Sequence, residues 1–290
     1  MHPAPSVIAF TVLSGMGFGL LAFLGVGFPT PQGWPAFFHF GLGYGLAVAG
    51  LLASTLHLGN PQRALLAFTQ WRSSWLSREA WASVCALILM APVALSDWLM
   101  LDWPRWIGWI AAALCVLTVF CTAMIYAQLK TVPRWNHWTT PALFGLFALS
   151  GGALLAGQGG IAIIALAALG GMLAFAFVVG DRQFAARGQT LATATGLGGI
   201  GQITVFEQPH TGGNYLMREM IHVVARKHAA KLQVIAVLLA SVLPVLILLI
   251  STSVPALAVS AVLHLSGALV ARWLFFAQAE HVVGLYYGQR

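Results

Sequence analysis

"VIAFTVLSGMGFGLLAFLGVGF", residues 7–28, contains no charged side chain and no alternation of polar with apolar residues. As a helix rising 1.5 Å per residue it is long enough to cross about 30 Å of hydrocarbon. Seven further apolar runs follow, at about 35–57, 80–101, 106–129, 141–156, 160–180, 232–250 and 254–277, the fifth of the eight being the shortest. Soluble domains carry about 25% charged residues; this chain of 290 residues carries 7%, with 59% hydrophobic. Backbone groups in lipid are satisfied only within helices or closed barrels, and barrel strands would alternate. The expectation is an all-α polytopic membrane protein. It is a bundle of eight transmembrane helices forming one membrane domain over 1–290, without a separate soluble domain or an internal repeat.

The segment before the first run, "MHPAPSVIAF", lacks a basic region, so the run is read as a retained span rather than a signal peptide. Cys85, Cys115 and Cys121 fall inside spans without metal-ligand spacing and are read as small packing residues. Such a chain has no means of ligating an iron–sulfur cluster by itself.

Lys and Arg favour cytoplasmic loops. In an eight-span topology thirteen of the fourteen basic residues fall on one side: Arg63, Arg72, Arg78, Lys130, Arg134, Arg182, Arg187, Arg218, Arg226, Lys227, Lys231, Arg272 and Arg290. Arg105, near Asp97 and Asp102, is alone on the other. Both termini and the large loops are therefore expected in the cytoplasm, in the cytoplasmic (inner) membrane. The net charge of +7 follows from topology and calls for no nucleic acid.

Ionisable groups concentrate between the second and third spans. Asn60-Pro61 reads as a helix start, with Leu65, Phe68 and Trp71 or Arg72 at helical spacing, suiting a short helix in the interface. Gly59 is expected to end the second span, leaving His57 in its last turn. Ser77 is expected to cap the third, placing Glu79 in its first turn, where the helix dipole favours a carboxylate. His57 and Glu79 then share one membrane depth. A histidine and a carboxylate at a lipid boundary suit proton exchange with a quinone headgroup. Charged helix ends and Arg/Trp anchors at the interface are the plainer reading.

"HLGNPQRALLAFTQWRSSWLSRE" (57–79), "MIYAQLKTVPRWNHW" (124–138), "EQPHTGGNYLMREMIHVVARKHAAKL" (207–232) and "RWLFFAQAEHVVGLYYG" (272–288) resemble the membrane anchor subunit of the dimethyl sulfoxide reductase family. The resemblance covers most of the chain and implies the family's eight-helix layout. It also implies two partner subunits: a molybdopterin catalytic subunit and an iron–sulfur subunit with four clusters. Electrons would pass between the clusters and quinone, ubiquinone or menaquinone, with molybdopterin and clusters in the partners only. His57 matches the family's quinol-site histidine and Glu79 its functional glutamate. Arg72, Trp75 and Arg78 lie in the same matched motif as site-forming residues. The cytoplasmic placement of the basic face and the 272–288 stretch resemble the sulfite-oxidising branch, which implies sulfite dehydrogenase chemistry. The nearer alternative is an anchor for an S- or N-oxide reductase. A secondary transporter is the more distant one, although no matched pair of interrupted helices supports it.

Other signals are weaker. Gly196 to Gly201, "GLGGIG", matches a dinucleotide fingerprint but lacks a βαβ setting. In the long 181–231 loop, Asn214 is expected to cap a helix over about 215–230. Its apolar side would carry Met217, Met220, Ile221 and Val224, and its role would be membrane-surface packing or docking of the iron–sulfur subunit. His39 and His264 are the candidate axial ligands of a haem b that is not favoured; hydrogen bonding to a neighbouring helix is their plainer role. His137 is read as an interfacial residue.

Overall fold

The long apolar runs do become helices, and their order positions everything else. The computed structural model describes residues 2–56, 60–207 and 228–287. α1 is Pro5–Val26, α2 Trp34–Thr55, α3 Trp75–Leu99, α4 Trp106–Ala127, α5 Thr139–Leu155 and α6 Gly159–Ala186. A short α7, Leu191–Thr195, precedes α8, Ala229–Ile250, and α9, Val254–Ala277. Pro61–Phe68 and Val282–Tyr287 are 3-10 turns. Among the described residues the fold is helical throughout. Seven helices are long and apolar enough to span a membrane, with α5, 17 residues, shorter.

The first helix lies at the centre. The apolar window of α1 is 72% buried, against 28% for α2 and 33% for α3, and α1 packs on α2, α4, α5 and α9. Glycines make these contacts close. A side chain at Gly19 would strike the Ala148 carbonyl of α5, and one at Gly152 would strike the backbone of Gly19. Gly25 and Gly108 of α4 face one another in the same way. In lipid, helix association depends on this backbone proximity rather than on expulsion of water. A second layer is built by α6, α8 and α9. There α8 passes through a π-helical turn, Leu238–Val242, just before Pro244. Proline lacks the N–H that would continue the α ladder, and Ser241 in that turn donates to the Leu166 carbonyl of α6 (2.7 Å).

At one end of the bundle, Arg105 donates to both oxygens of Asp97 (2.9 Å each) and to the Leu24 carbonyl at the end of α1 (2.8 Å). Arg105→Ala removes three bonds that include a charged donor, each class of bond being worth about 1.5–3 kcal/mol. A lower thermal midpoint in detergent is the expected result.

The other end is knit by aromatic rings. Trp135 stacks on Phe275 at 5.2 Å and donates from Nε1 to its carbonyl (2.8 Å), while Tyr126 meets Trp135, Phe144 and Phe276 edge-on or tilted. Val282 N donates to the Thr131 carbonyl (3.0 Å). Two of the sequence stretches singled out above, 124–138 and 272–288, thus meet here. Arg134 pairs with Asp181 at 2.7 Å and Arg187 donates to Asn136 (2.6 Å), joining the end of α6 to the start of α5. His137 accepts or donates at Thr139 (3.0 Å); burial, and then the nearby Arg187 charge, hold its imidazole below the ordinary value.

Several boundaries move relative to the sequence reading. α3 begins at Trp75 and α6 continues to Ala186, so Arg78, Asp181 and Arg182 belong to helices rather than loops. The helix expected over 215–230, apart from its last three residues, lies outside the described residues. In "GLGGIG", Gly196 ends α7 in a left-handed conformation (φ 70°) and a helix, not a strand, precedes it, so the dinucleotide reading lapses.

Candidate functional site

The charged segment between α2 and α3 folds back on α3. Pro61–Phe68 forms a 3-10 turn, not an α-helix, with Asn60 at its cap position making no side-chain cap hydrogen bond. Leu65 and Trp71 are exposed. Residues 67–72 are pinned by side chains from the first two turns of α3. Ser77 donates to the Ala67 carbonyl, Trp81 Nε1 to Phe68 (3.0 Å), and Arg78 to Trp71 (3.0 Å) and Arg72 (2.7 Å).

The expected cap at Ser77 is therefore corrected: Ser74 precedes the helix, and Ser77 lies within it, holding the preceding turn instead. Glu79 moves with it, out of the first turn. Its carboxyl points into the bundle, 3% exposed, rather than toward the helix terminus. The expected ending of α2 is also shifted. The helix stops at Thr55 with Leu56 as its C-cap, and His57, with Gly59, lies outside the described residues.

Glu79 meets a partner from α4. Thr122 Oγ1 stands 2.5 Å from Glu79 Oε1 and 3.0 Å from the Thr118 carbonyl oxygen. A hydroxyl has one proton and a carbonyl only accepts. Both contacts are hydrogen bonds when Glu79 is a carboxylic acid donating to Thr122, which then donates to Thr118. When Glu79 is ionised, Thr122 turns its proton to the carboxylate. Rotation of a single O–H thus accommodates either protonation state.

One turn nearer the helix start, Trp75 packs edge-on against Phe120 of α4 (5.9 Å), and the Arg78 guanidinium lies 4.3 Å from the Trp75 ring centre. Arg72 sits by Trp71 at 5.3 Å. Trp75 and Arg78 thus pair at the start of α3, and Arg72 is tied to them through its backbone carbonyl, which accepts from Arg78. Phe120 also borders an apolar groove of about 320 Å³, walled by Phe18, Phe23, Val116, Gly145 and Leu149 of α1, α4 and α5.

The candidate haem ligands behave differently. His39 bonds the Pro35 carbonyl of its own helix through Nδ1 (2.7 Å), and the wholly buried His264 faces the Ala240 carbonyl of α8 (2.8 Å). Both are hydrogen bonds within the helical scaffold, made through Nδ1 in each ring.

A further residue escaped the sequence reading. Arg272, counted there among the basic residues at the end of the eighth span, lies inside α9 and is 3% exposed. Its guanidinium carbon sits 3.4 Å from the Phe144 ring centre, with Phe147 and Phe275 close by. No carboxylate of the described residues pairs with it. It lines a narrow pocket with Thr11, Ser14, Thr122 and His264, and Tyr126 stands within electrostatic reach of both Arg272 and Glu79. The signal that finds Arg272 is a four-residue spacing, Ser260–His264–Ala268–Arg272, which puts polar groups on one buried stripe of α9.

Comparison with known proteins finds matches over nearly the whole length. Residues 2–288 match the family described as "DMSO reductase anchor subunit (DmsC)". The chain is also 30% identical to one of the subunits of a sulfite dehydrogenase from Allochromatium vinosum, over 99% of each chain.

Proposed function

The chain belongs to the family of DMSO reductase anchor subunits, and from that premise we propose that it is the quinone-reactive membrane anchor of a sulfite-oxidising molybdoenzyme. Electrons would come from a molybdopterin subunit through an iron–sulfur subunit with four clusters, and leave to ubiquinone or menaquinone. The likeness to a sulfite dehydrogenase subunit supports the substrate. The family's description keeps the S- or N-oxide reductase as the second reading.

The observation that carries the quinone role is the buried Glu79–Thr122 pair, one turn into α3 from the paired Trp75 and Arg78. A bound quinone would be a two-electron acceptor that takes up two protons as it becomes the quinol. Glu79 holds a proton at its carboxyl and releases it, and the Thr122 hydroxyl follows each state by rotating. Trp75, with Arg78 stacked on it and Phe120 against it, lies one turn before Glu79 on α3. Arg72 and Arg78 place positive charge where negative charge would develop. His57, which follows Leu56 in the sequence, would donate a hydrogen bond to a quinone oxygen. The groove beside Phe120 has apolar walls against which part of an isoprenoid tail would lie.

We place the protein as one domain over 1–290 with eight spans and both termini cytoplasmic. The 17 residues of α5 rise about 25 Å, less than a full hydrocarbon core. The Arg134–Asp181 and Arg187–Asn136 contacts support its crossing, because they bring the end of α6 back to the start of α5.

Gentle extraction of the tagged chain from its native membrane, followed by mass spectrometry, tests this reading. A molybdopterin subunit without a twin-arginine signal, accompanied by an iron–sulfur subunit, is expected. A catalytic partner with a twin-arginine signal would instead favour the oxide reductase. Absence of both partners would overturn the anchor role. In the purified complex, Trp75→Ala is expected to raise the KM for quinone about tenfold or more, the loss of roughly 1.4 kcal/mol or more of contact. Unchanged steady-state kinetics would remove Trp75 from the site.

A further inference from the structure

Among the described residues, the acidic and basic side chains that are buried are Glu79 and Arg272, each 3% exposed, and neither is in an ion pair. They reach the same layer of the bundle. α4 and α9 end together where Trp135 stacks on Phe275, and α3 starts at that end, since Trp75 meets Phe120 of α4. By helical rise Glu79 lies about 6 Å into α3, while Thr122 and Arg272 lie about 7.5 Å from the ends of α4 and α9.

Thr122 is common to both. On one side its Oγ1 stands 2.5 Å from Glu79 Oε1, and on the other it lines the narrow pocket with Arg272. Tyr126, one turn further along α4, is within electrostatic reach of both charges. Arg78, the cation next to Glu79 in sequence, is committed outward, donating to the Trp71 and Arg72 carbonyls. Cys121 and Tyr126 of α4 also feel Glu79, and neither is a cation. A carboxylate or a guanidinium taken out of water is costly unless opposite charge and hydrogen bonds compensate it. While Glu79 is an acid, the Arg272 charge rests on ring faces, 3.4 Å from the centre of Phe144.

We propose that Arg272 is the counter-charge of the Glu79 carboxylate, a positioning residue that acts across Thr122 and one water in the pocket they share. The pocket leaves about 10 Å³ for the centre of a water, room for about one molecule. The bonding has a single polarity. Arg272 only donates, the water accepts from it and donates to Thr122 Oγ1, and Thr122 turns its proton to Glu79. Thr11 and Ser14 line the same pocket. Their hydroxyls donate to the Val7 and Phe10 carbonyls and so present lone pairs, which suit a water and repel an anion. When Glu79 regains its proton, Thr122 turns back to the Thr118 carbonyl and the water turns to those lone pairs. The charge balance stands on these contacts; only its bearing on turnover rests on the quinone role.

Infrared titration of the full chain in phospholipid nanodiscs, without quinone, reads Glu79 directly. Its carboxylic-acid C=O stretch is the band absent in Glu79→Gln. In the wild type this band should give way to carboxylate as pH rises. In Arg272→Met and Arg272→Gln, two neutral replacements of different shape, it should persist about one pH unit or more further, a tenfold loss of carboxylate. A thioether suits ring faces, so Arg272→Met is expected to fold. Arg272→Lys, which keeps the charge, should titrate as the wild type does. Identical titration in the wild type and the neutral variants would overturn the proposal. So would a wild-type band that never yields carboxylate, or Arg272→Lys behaving as Arg272→Met. In the assembled complex, Arg272→Met should lower kcat with quinone about tenfold and leave KM unchanged. A shifted band with unchanged turnover would remove the proton role of Glu79 and leave the counter-charge standing.

Discussion

Glu79→Gln is expected to lower quinone-linked turnover by about 10²- to 10⁴-fold, the range a positioned proton donor or acceptor contributes. Glutamine matches glutamate in shape, and its amide can still meet Thr122 Oγ1, 2.5 Å from the carboxyl in the wild type. Assembly should therefore survive. What disappears is a group able to release a proton and recover it. The control is electron transfer from the partner's clusters to a soluble dye that needs no proton from this site; it should continue at the wild-type rate. Glu79→Asp draws the carboxyl back by one methylene, out of reach of Thr122, and should give an intermediate rate. Normal quinone turnover in Glu79→Gln would remove Glu79 from the proposed chemistry.

The second large effect concerns the bundle itself. Gly152→Val is expected to abolish accumulation of the folded chain, because the added carbons meet the Gly19 backbone and not a movable side chain. Overpacking of a close contact costs about 3 kcal/mol or more when nothing can yield. Gly145, on the same helix, has open space where a Cβ would be added, so Gly145→Ala should accumulate normally. Comparing membrane yield and thermal midpoint for the two variants checks the α1–α5 contact directly. Equal behaviour would mean that this contact does not hold the bundle.

The helices were legible because uncharged runs near 20 residues have one explanation in a chain this apolar. Cap positions were less so. Ser73, Ser74 and Ser77 are all competent helix caps by residue type, and only the fold shows that Ser77 is occupied by the Ala67 carbonyl. That shift carried Glu79 from the surface of the first turn to the interior. Arg272 was harder still, since a cation near the end of an apolar run ordinarily reaches for water. It stays inside because Phe144, Phe147 and Phe275 surround it with ring faces, and those residues come from other stretches or flank it. The Glu79–Thr122 pair joins positions 43 apart, a distance over which periodicity says nothing.

The central place of α1 bears on how the protein is made. The most enclosed of these helices is synthesised before the ones it packs against, so its partners in α2, α4 and α5 do not yet exist when it is made. At about 5–20 residues per second, the chain between Val26 and Leu155 takes roughly 6–26 s to synthesise. For that interval the notches at Gly19 and Gly25 face lipid or the insertion machinery. The later helices then have to close around a core that was laid down before them.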